Sequence, residues 1–114
     1  MTNFQDRSER WEVHDRYGNH IYLTSERWQH VLQSRPWLAE YHADLLNAVR
    51  QGRRKQDTLD ARKYKYYWPC DRLRPEYNHL VAIVLFGETR DSQGRMISNN
   101  YVVTAWAVFL YGTR

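Results

Sequence analysis

The chain has 114 residues, 42% of them hydrophobic, a formal net charge of +4 and one cysteine. That length and apolar content suit one domain with its own core, and a single cysteine excludes an internal disulfide. Neither a signal peptide nor an apolar stretch of spanning length is found, so a protein of the reducing cytosol, away from membranes, is expected. Cys70 has no partner at zinc or thiol-triad spacing and is read as a structural thiol.

Residues 1–10 are polar apart from Phe4 and show no period, so a loose N-terminal tail is expected, followed by a single domain over 11–114. Trp11 to Asp15 alternates weakly, Tyr17-Gly-Asn supplies turn residues, and His20 to Thr24 reads as a second short strand, which predicts a hairpin or arm. Thr24 or Ser25 can cap a first helix with Glu26 in its first turn, and Trp28, Val31 and Leu32 fall on one face. Pro36 stops or kinks this helix. A second helix is expected from Pro36 or Trp37 to Gln51, carried by Leu38, Tyr41, Leu45, Leu46 and Val49 at helical spacing, with Gly52 as its stop. Arg53 to Asp60 has no apolar period and reads as a loop. Lys63-Tyr-Lys-Tyr-Tyr-Trp alternates charge and ring and predicts a strand ended by Pro69. Leu80 to Phe86 predicts a central strand, Gly87 to Asn100 a long polar connection, and Tyr101 to Tyr111 a last strand antiparallel to the one before. The expected class is α+β: an N-terminal hairpin, two α-helices, then an antiparallel sheet of about four strands.

Charge is concentrated rather than spread. Arg50 to Arg74 holds nine Lys or Arg against three Asp, a local charge of +6 that leaves the remainder at −2. Arg53, Arg54, Lys55, Lys63, Tyr64, Tyr66 and Tyr67 fall inside it, so cations able to hold phosphates alternate with rings able to stack on bases, an RNA-binding pattern. The alternative is a solvated charged loop beside a tyrosine-rich strand.

No Walker loop, dinucleotide glycine pattern, His-Glu-x-x-His, Cys-x-x-Cys pair or Gly-x-Ser-x-Gly is present, and no carboxylates cluster at two-metal spacing. Metal and cofactor are therefore not expected. RNA cleavage needs neither, because the 2′-hydroxyl is the nucleophile and the protein has only to supply proton transfer and cations for the phosphate. His30 lies on the polar sector of the first helix, three residues from Arg27, so both can address one phosphate; pairing with Glu26 at i, i+4 is the other reading. His20 and His79 stand at strand starts as loop-edge bases or solvated rings, and His14 and His42 read as surface residues. Thr104, a hydroxyl inside an apolar strand, must find a local partner or point to a substrate phosphate. Lys63, Lys65 and Tyr67 share one strand face, and Thr104 joins them if it lies on the same side of the sheet.

The order Ile21-Tyr-Leu-Thr-Ser-Glu-Arg-Trp-Gln-His-Val, a Pro-containing turn, a second helix, a Tyr-rich strand, an apolar strand and Val102-Val-Thr-Ala resembles the superfamily that unites barnase, EndoU, colicin-type and RelE-like ribonucleases, the BECR fold, in its phage and toxin branch. The resemblance covers most of Ile21 to Leu110. It implies two helices before a four-stranded antiparallel sheet and metal-independent endoribonuclease activity across the exposed sheet face. It also implies catalytic roles for His30, Thr104, Lys65 and Arg27, with Lys63 or Lys65 as the cation on the first sheet strand. Where the pattern leads one to expect His-Pro after the first helix, this chain has Arg35-Pro36. RNA is the implied partner, together with a cognate antitoxin or immunity protein; a non-catalytic RNA-binding module and a protein-interaction subunit are the other readings.

Overall fold

The structure is a computed structural model and describes residues 9–112. Most of the expected N-terminal tail lies outside the described residues, and Arg10 already belongs to the first strand. The elements are β1 (Arg10–His14), β2 (His20–Thr24), α1 (Ser25–Ser34), a 3-10 helix (Pro36–Tyr41), α2 (His42–Gln51), β3 (Arg53–Gln56), β4 (Lys63–Pro69), β5 (His79–Leu85), β6 (Glu88–Arg90), β7 (Met96–Ser98) and β8 (Asn100–Val108). The protein is α+β. Its main sheet has six strands in the order β1-β2-β8-β5-β4-β3, and β6 and β7 form a separate two-stranded sheet.

The sheet is larger than the four strands expected, for two reasons. The N-terminal hairpin is not an arm: β2 runs parallel to β8 through Ile21–Asn100 and Tyr22–Tyr101, and β1 pairs antiparallel outside it. Asn100 fastens that junction by donating its side-chain N–H to the His20 carbonyl at 3.0 Å, while the Tyr22 hydroxyl donates to Asn99 Oδ1 at 2.8 Å. The second addition is β3, which falls in the stretch expected as a loop. Its Arg-Arg-Lys-Gln sequence carries no apolar signal, and its strand form comes from pairing with β4 from Arg53–Tyr67 to Gln56–Tyr64. The expected polar connection likewise holds β6 and β7, three exposed residues each, around a turn in which Asp91 accepts from the Gln93 and Arg95 N–H groups.

The first helix begins where the sequence places it, with the Thr24 hydroxyl accepting from the Arg27 N–H at 3.1 Å, a cap worth about 1 kcal/mol. The second helix is split. Leu38 and Tyr41 are both buried and three residues apart, a spacing that stacks them on one side of a 3-10 helix rather than spreading them round an α-helix. At Gly52 the chain turns directly from α2 into β3. A Cβ there would stand 2.3 Å from the Ala48 carbonyl oxygen and 2.6 Å from that of Tyr67, so the turn has room only for glycine.

Both helices pack on one face of the sheet. Trp28, Val31, Leu38, Leu45 and Val49 join Ile21, Leu23, Tyr66, Leu80, Ala82, Val84, Val102 and Ala105 in a single core. The hairpin tip closes one end of it. Asp15 accepts from the Tyr17 and Asn19 N–H groups and from the Asn19 side chain, and the Tyr66 hydroxyl donates to its Oδ2 at 2.5 Å. Burial opposes the charge on Asp15, but the bonds from Tyr66 and Asn19 outweigh it and hold the carboxyl below its ordinary value. Tyr66 is pushed in the opposite direction, first by burial and then by its bond to Asp15.

Candidate functional site: the uncovered face of the sheet

The cross-strand register places functional side chains on the sheet face away from the helices, because directly paired residues project to the same side. Ile83 pairs with Lys65 on one flank and Thr104 on the other. Val81 lies between Tyr67 and Trp106, and Leu85 between Lys63 and Tyr101. On β3, Arg53 stands opposite Tyr67 and Lys55 opposite Lys65. Arg53, Lys55, Lys63, Lys65, Tyr67 and Thr104 therefore share one surface, with Tyr101 and Trp106 as additional rings. Among the described residues no helix covers this face, yet Val81 is 1% and Ile83 6% exposed. Long side chains on both flanks make a dry floor beneath a rim of cations and rings.

Thr104 reaches this surface through an irregularity. The β5–β8 register shifts between Ile83 and Val84, so that Thr104 opposes Ile83 while Val102 opposes Val84 and Val103 is the extra residue. Without the bulge, strict alternation from the buried Val102 would carry Thr104 into the core.

Electrostatically the part of the face built by β3, β4, β5 and β8 is one-sided, while Glu12 of β1, paired with Tyr22 and through it aligned with Tyr101, sets a carboxylate on the same side at the opposite edge of the sheet. The residues of β3, β4, β5 and β8 that point to this face include no carboxylate, and the Lys55–Lys65 pair sets two like charges opposite one another, an arrangement that disfavours itself unless an anion lies between. Asp57 and Asp60 lie in the β3–β4 loop, where local hydrogen bonds hold them and the charges of Lys63 and, for Asp57, Lys65 also reach them. Asp57 accepts from the Leu59 and Asp60 N–H groups, and Asp60 accepts from the Arg62 backbone and guanidinium.

Three residues expected at an RNA surface point the other way. Tyr66 is 0% exposed and its hydroxyl is engaged by Asp15, so it cannot meet a ligand. Arg54, opposite Tyr66, donates to the Tyr66 hydroxyl at 3.3 Å, lies 3.8 Å from Asp15 Oδ2 and stacks over Tyr17 and Tyr64 at 4.2 and 4.3 Å. Tyr64 is packed against the core and meets Phe86 edge-on at 5.2 Å. The alternation of the strand divides the basic aromatic segment into a structural set, Arg54, Tyr64 and Tyr66, and a presented set, Arg53, Lys55, Lys63, Lys65 and Tyr67.

The helix-borne pair is also divided. Arg27 lines a small depression with Tyr22, Thr24, Glu26 and Tyr101, which brings it, with a carboxylate beside it, to the margin of the uncovered face. His30 is exposed and lines a depression built only from its own helix, with Glu26, Arg27, Gln29 and Gln33. Because α1 packs on the opposite side of the sheet, the fold does not bring His30 together with Lys65 and Thr104.

The other histidines are placed by tertiary contacts that the sequence does not encode locally. His14 and His20 sit at the hairpin edge with ring centroids 5.2 Å apart, and His20 Nε2 is 2.7 Å from Glu12 Oε1. His42, expected at the surface, is wedged between Trp11 and Trp28 at 4.2 and 5.0 Å with its Nε2 unpartnered, and burial lowers its pKa. His79 is 8% exposed and its pKa is lowered by burial. Cys70 is buried, as a structural thiol would be.

Among the described residues, no three His, Cys, Asp or Glu side chains converge as a metal site would require, and no helix is long and apolar enough to cross a membrane. No protein-family model matches the chain, and searches of curated proteins and of solved structures return no match.

Proposed function

We propose that this protein is a metal-independent endoribonuclease of the RelE/barnase type, a cytoplasmic toxin restrained by a cognate antitoxin or immunity protein, that binds single-stranded RNA across the uncovered sheet face. The observation that carries the reading is the grouping of Arg53, Lys55, Lys63, Lys65, Tyr67 and Thr104 on that face, where β3, β4, β5 and β8 contribute no carboxylate. Lysines and arginine neutralise successive phosphates, the rings of Tyr67, Tyr101 and Trp106 stack on unpaired bases, and the dry floor of Val81 and Ile83 strengthens each charge–phosphate contact. Lys65 and Thr104 flank Ile83 and address one phosphate together, the cation offsetting the charge that grows as the ribose 2′-hydroxyl attacks. The test is cleavage of a single-stranded oligoribonucleotide by the purified chain in EDTA. Product formation that falls in Lys65→Ala and Thr104→Val is expected; intact substrate with the wild-type chain overturns the catalytic reading.

The separation of His30 from Lys65 and Thr104 favours a second reading, a non-catalytic RNA-binding module on the same face. It predicts salt-sensitive binding, weakened when Lys63 and Lys65 are neutralised, and no product.

A further inference from the structure

Beside the uncovered face, where α2 passes into β3, a groove of about 610 Å³ is lined by Arg16, Arg53, Tyr67, Trp68, His79 and Leu110. Its size lies within the roughly 300–1,000 Å³ of small-ligand sites, and its walls are mostly apolar with a few polar groups, as such sites require. Arg53 and Tyr67 belong to both groove and face, so an occupant of one continues into the other.

The chemistry of the groove turns on His79. Its Nδ1 lies 2.8 Å from Asn78 Oδ1. The orientation of that amide is fixed, because Asn78 Nδ2 donates to the Leu110 carbonyl at 2.9 Å while Oδ1 accepts from the Leu110 N–H at 2.8 Å. An oxygen that already accepts from Leu110 can only accept from the ring as well, so Nδ1 carries the proton. Burial disfavours the charged ring, so the imidazole is neutral near pH 7. Nε2 therefore holds a lone pair, and no described residue donates to it. A groove with an acceptor on its wall, two guanidinium groups and an aromatic ring calls for a ligand with a hydroxyl donor, an anion and a flat base.

We propose that this groove is a ribonucleotide subsite, in which His79 Nε2 accepts a hydrogen bond from a ribose 2′-hydroxyl, Arg53 and Arg16 hold the adjoining phosphate, and the Tyr67 ring stacks on the base. It rests on the RNA reading of the sheet face and adds to it the means of telling RNA from DNA, since the 2′-hydroxyl is the group that differs. The Asn78–Leu110 clamp makes the preference a property of the tautomer and ties it to the segment that follows β8.

The test titrates the full chain with adenosine 3′-monophosphate and with its 2′-deoxy counterpart, following the ¹⁵N resonance of His79 Nε2 and the two dissociation constants. The expected result is ribonucleotide binding roughly three- to tenfold tighter, the worth of one hydrogen bond, with the Nε2 signal moving only for the ribonucleotide. His79→Phe keeps the bulk of the ring and is expected to equalise the two affinities, whereas Arg53→Ala weakens both alike. Equal affinities in the wild-type chain, no binding of either nucleotide, or a preference that survives His79→Phe overturns the subsite. An oligoribonucleotide whose binding still depends on Lys63 and Lys65 leaves the sheet-face reading standing in each case; loss of that dependence overturns the sheet-face reading instead.

Discussion

The two sides of the β3–β4 pair both carry cations and rings and do opposite work. Tyr64, Tyr66 and Trp68 face the helices, where Tyr66 joins Asp15 and Arg54 in a buried network. Lys63, Lys65 and Tyr67, one residue out of step, face away from the core beside Ile83, Thr104 and Arg53. A tyrosine and a cation on the first side hold the fold together, and on the second they are left available to a ligand. Composition of a segment therefore says little about its role until the pleat has assigned each side chain to a face.

Substitution on the two sides separates these roles most strongly at Tyr66. Tyr66→Ala empties a fully buried aromatic site and strips Asp15 of a donor, and is expected to cost about 3–5 kcal/mol by chemical denaturation. Lys65→Ala is expected to change stability by no more than about 0.5 kcal/mol. A comparable loss at both positions would erase the distinction.

Neutralising Lys63 and Lys65 together is the corresponding probe of the ligand side. Removing two phosphate contacts lowers the slope of log affinity against log salt by about 1.4 for single-stranded RNA. Titration of an oligoribonucleotide at several salt concentrations measures it, and an unchanged slope would place the RNA elsewhere.

The titration behaviour of the core side sharpens the contrast further. Asp15 has a folded pKa below its unfolded value, so its contribution is present above about pH 3.9 and is lost as pH falls through the folded value. His42 and His79 also have lowered pKa values, so below about pH 6.5 the unfolded chain takes up protons that the buried rings do not, and the stability present above that pH is lost as pH falls toward the folded values. Unfolding measured between pH 7 and 4 is expected to show stability falling with pH, and His42→Phe to flatten the upper part of that slope.

The smallest effect is expected at His30. Exposed on α1 and remote from Lys65 and Thr104, His30→Ala should leave stability within about 0.5 kcal/mol and RNA affinity unchanged. A fall in cleavage of about 10²–10⁴-fold, the contribution of a general acid or base, would return this residue to the reaction.

Where periodicity was strong the fold was legible: the Thr24 cap, the Trp28 and Val31 stripe, the stop at Gly52 and the apolar run of β5 all stand where their residues place them. The strands β3, β6 and β7 were not, because short exposed strands have no buried face to imprint a pattern on their residues. On the candidate site, the common face of Lys63, Lys65 and Tyr67 followed from alternation alone. The environments of His42 and His79 did not, since the groups around them, Trp11 and Trp28 for His42 and Leu110 for His79, come from distant parts of the chain.

By itself the sequence determined which segments are helix and central strand, because hydrophobic spacing is a local property fixed by 3.6- and 2-residue periods. It also determined that Arg50 to Arg74 concentrates cations and rings. Only the tertiary structure decided which of them a ligand can reach, through register: β3 pairing presents Arg53 and Lys55 while Arg54 turns in to Asp15 and Tyr66. The clearest case is Thr104. One extra residue at Val103 shifts the phase of β8 and sets its hydroxyl beside Ile83 on the open face. A bulge is set by how two strands meet, and no single strand's sequence contains that information.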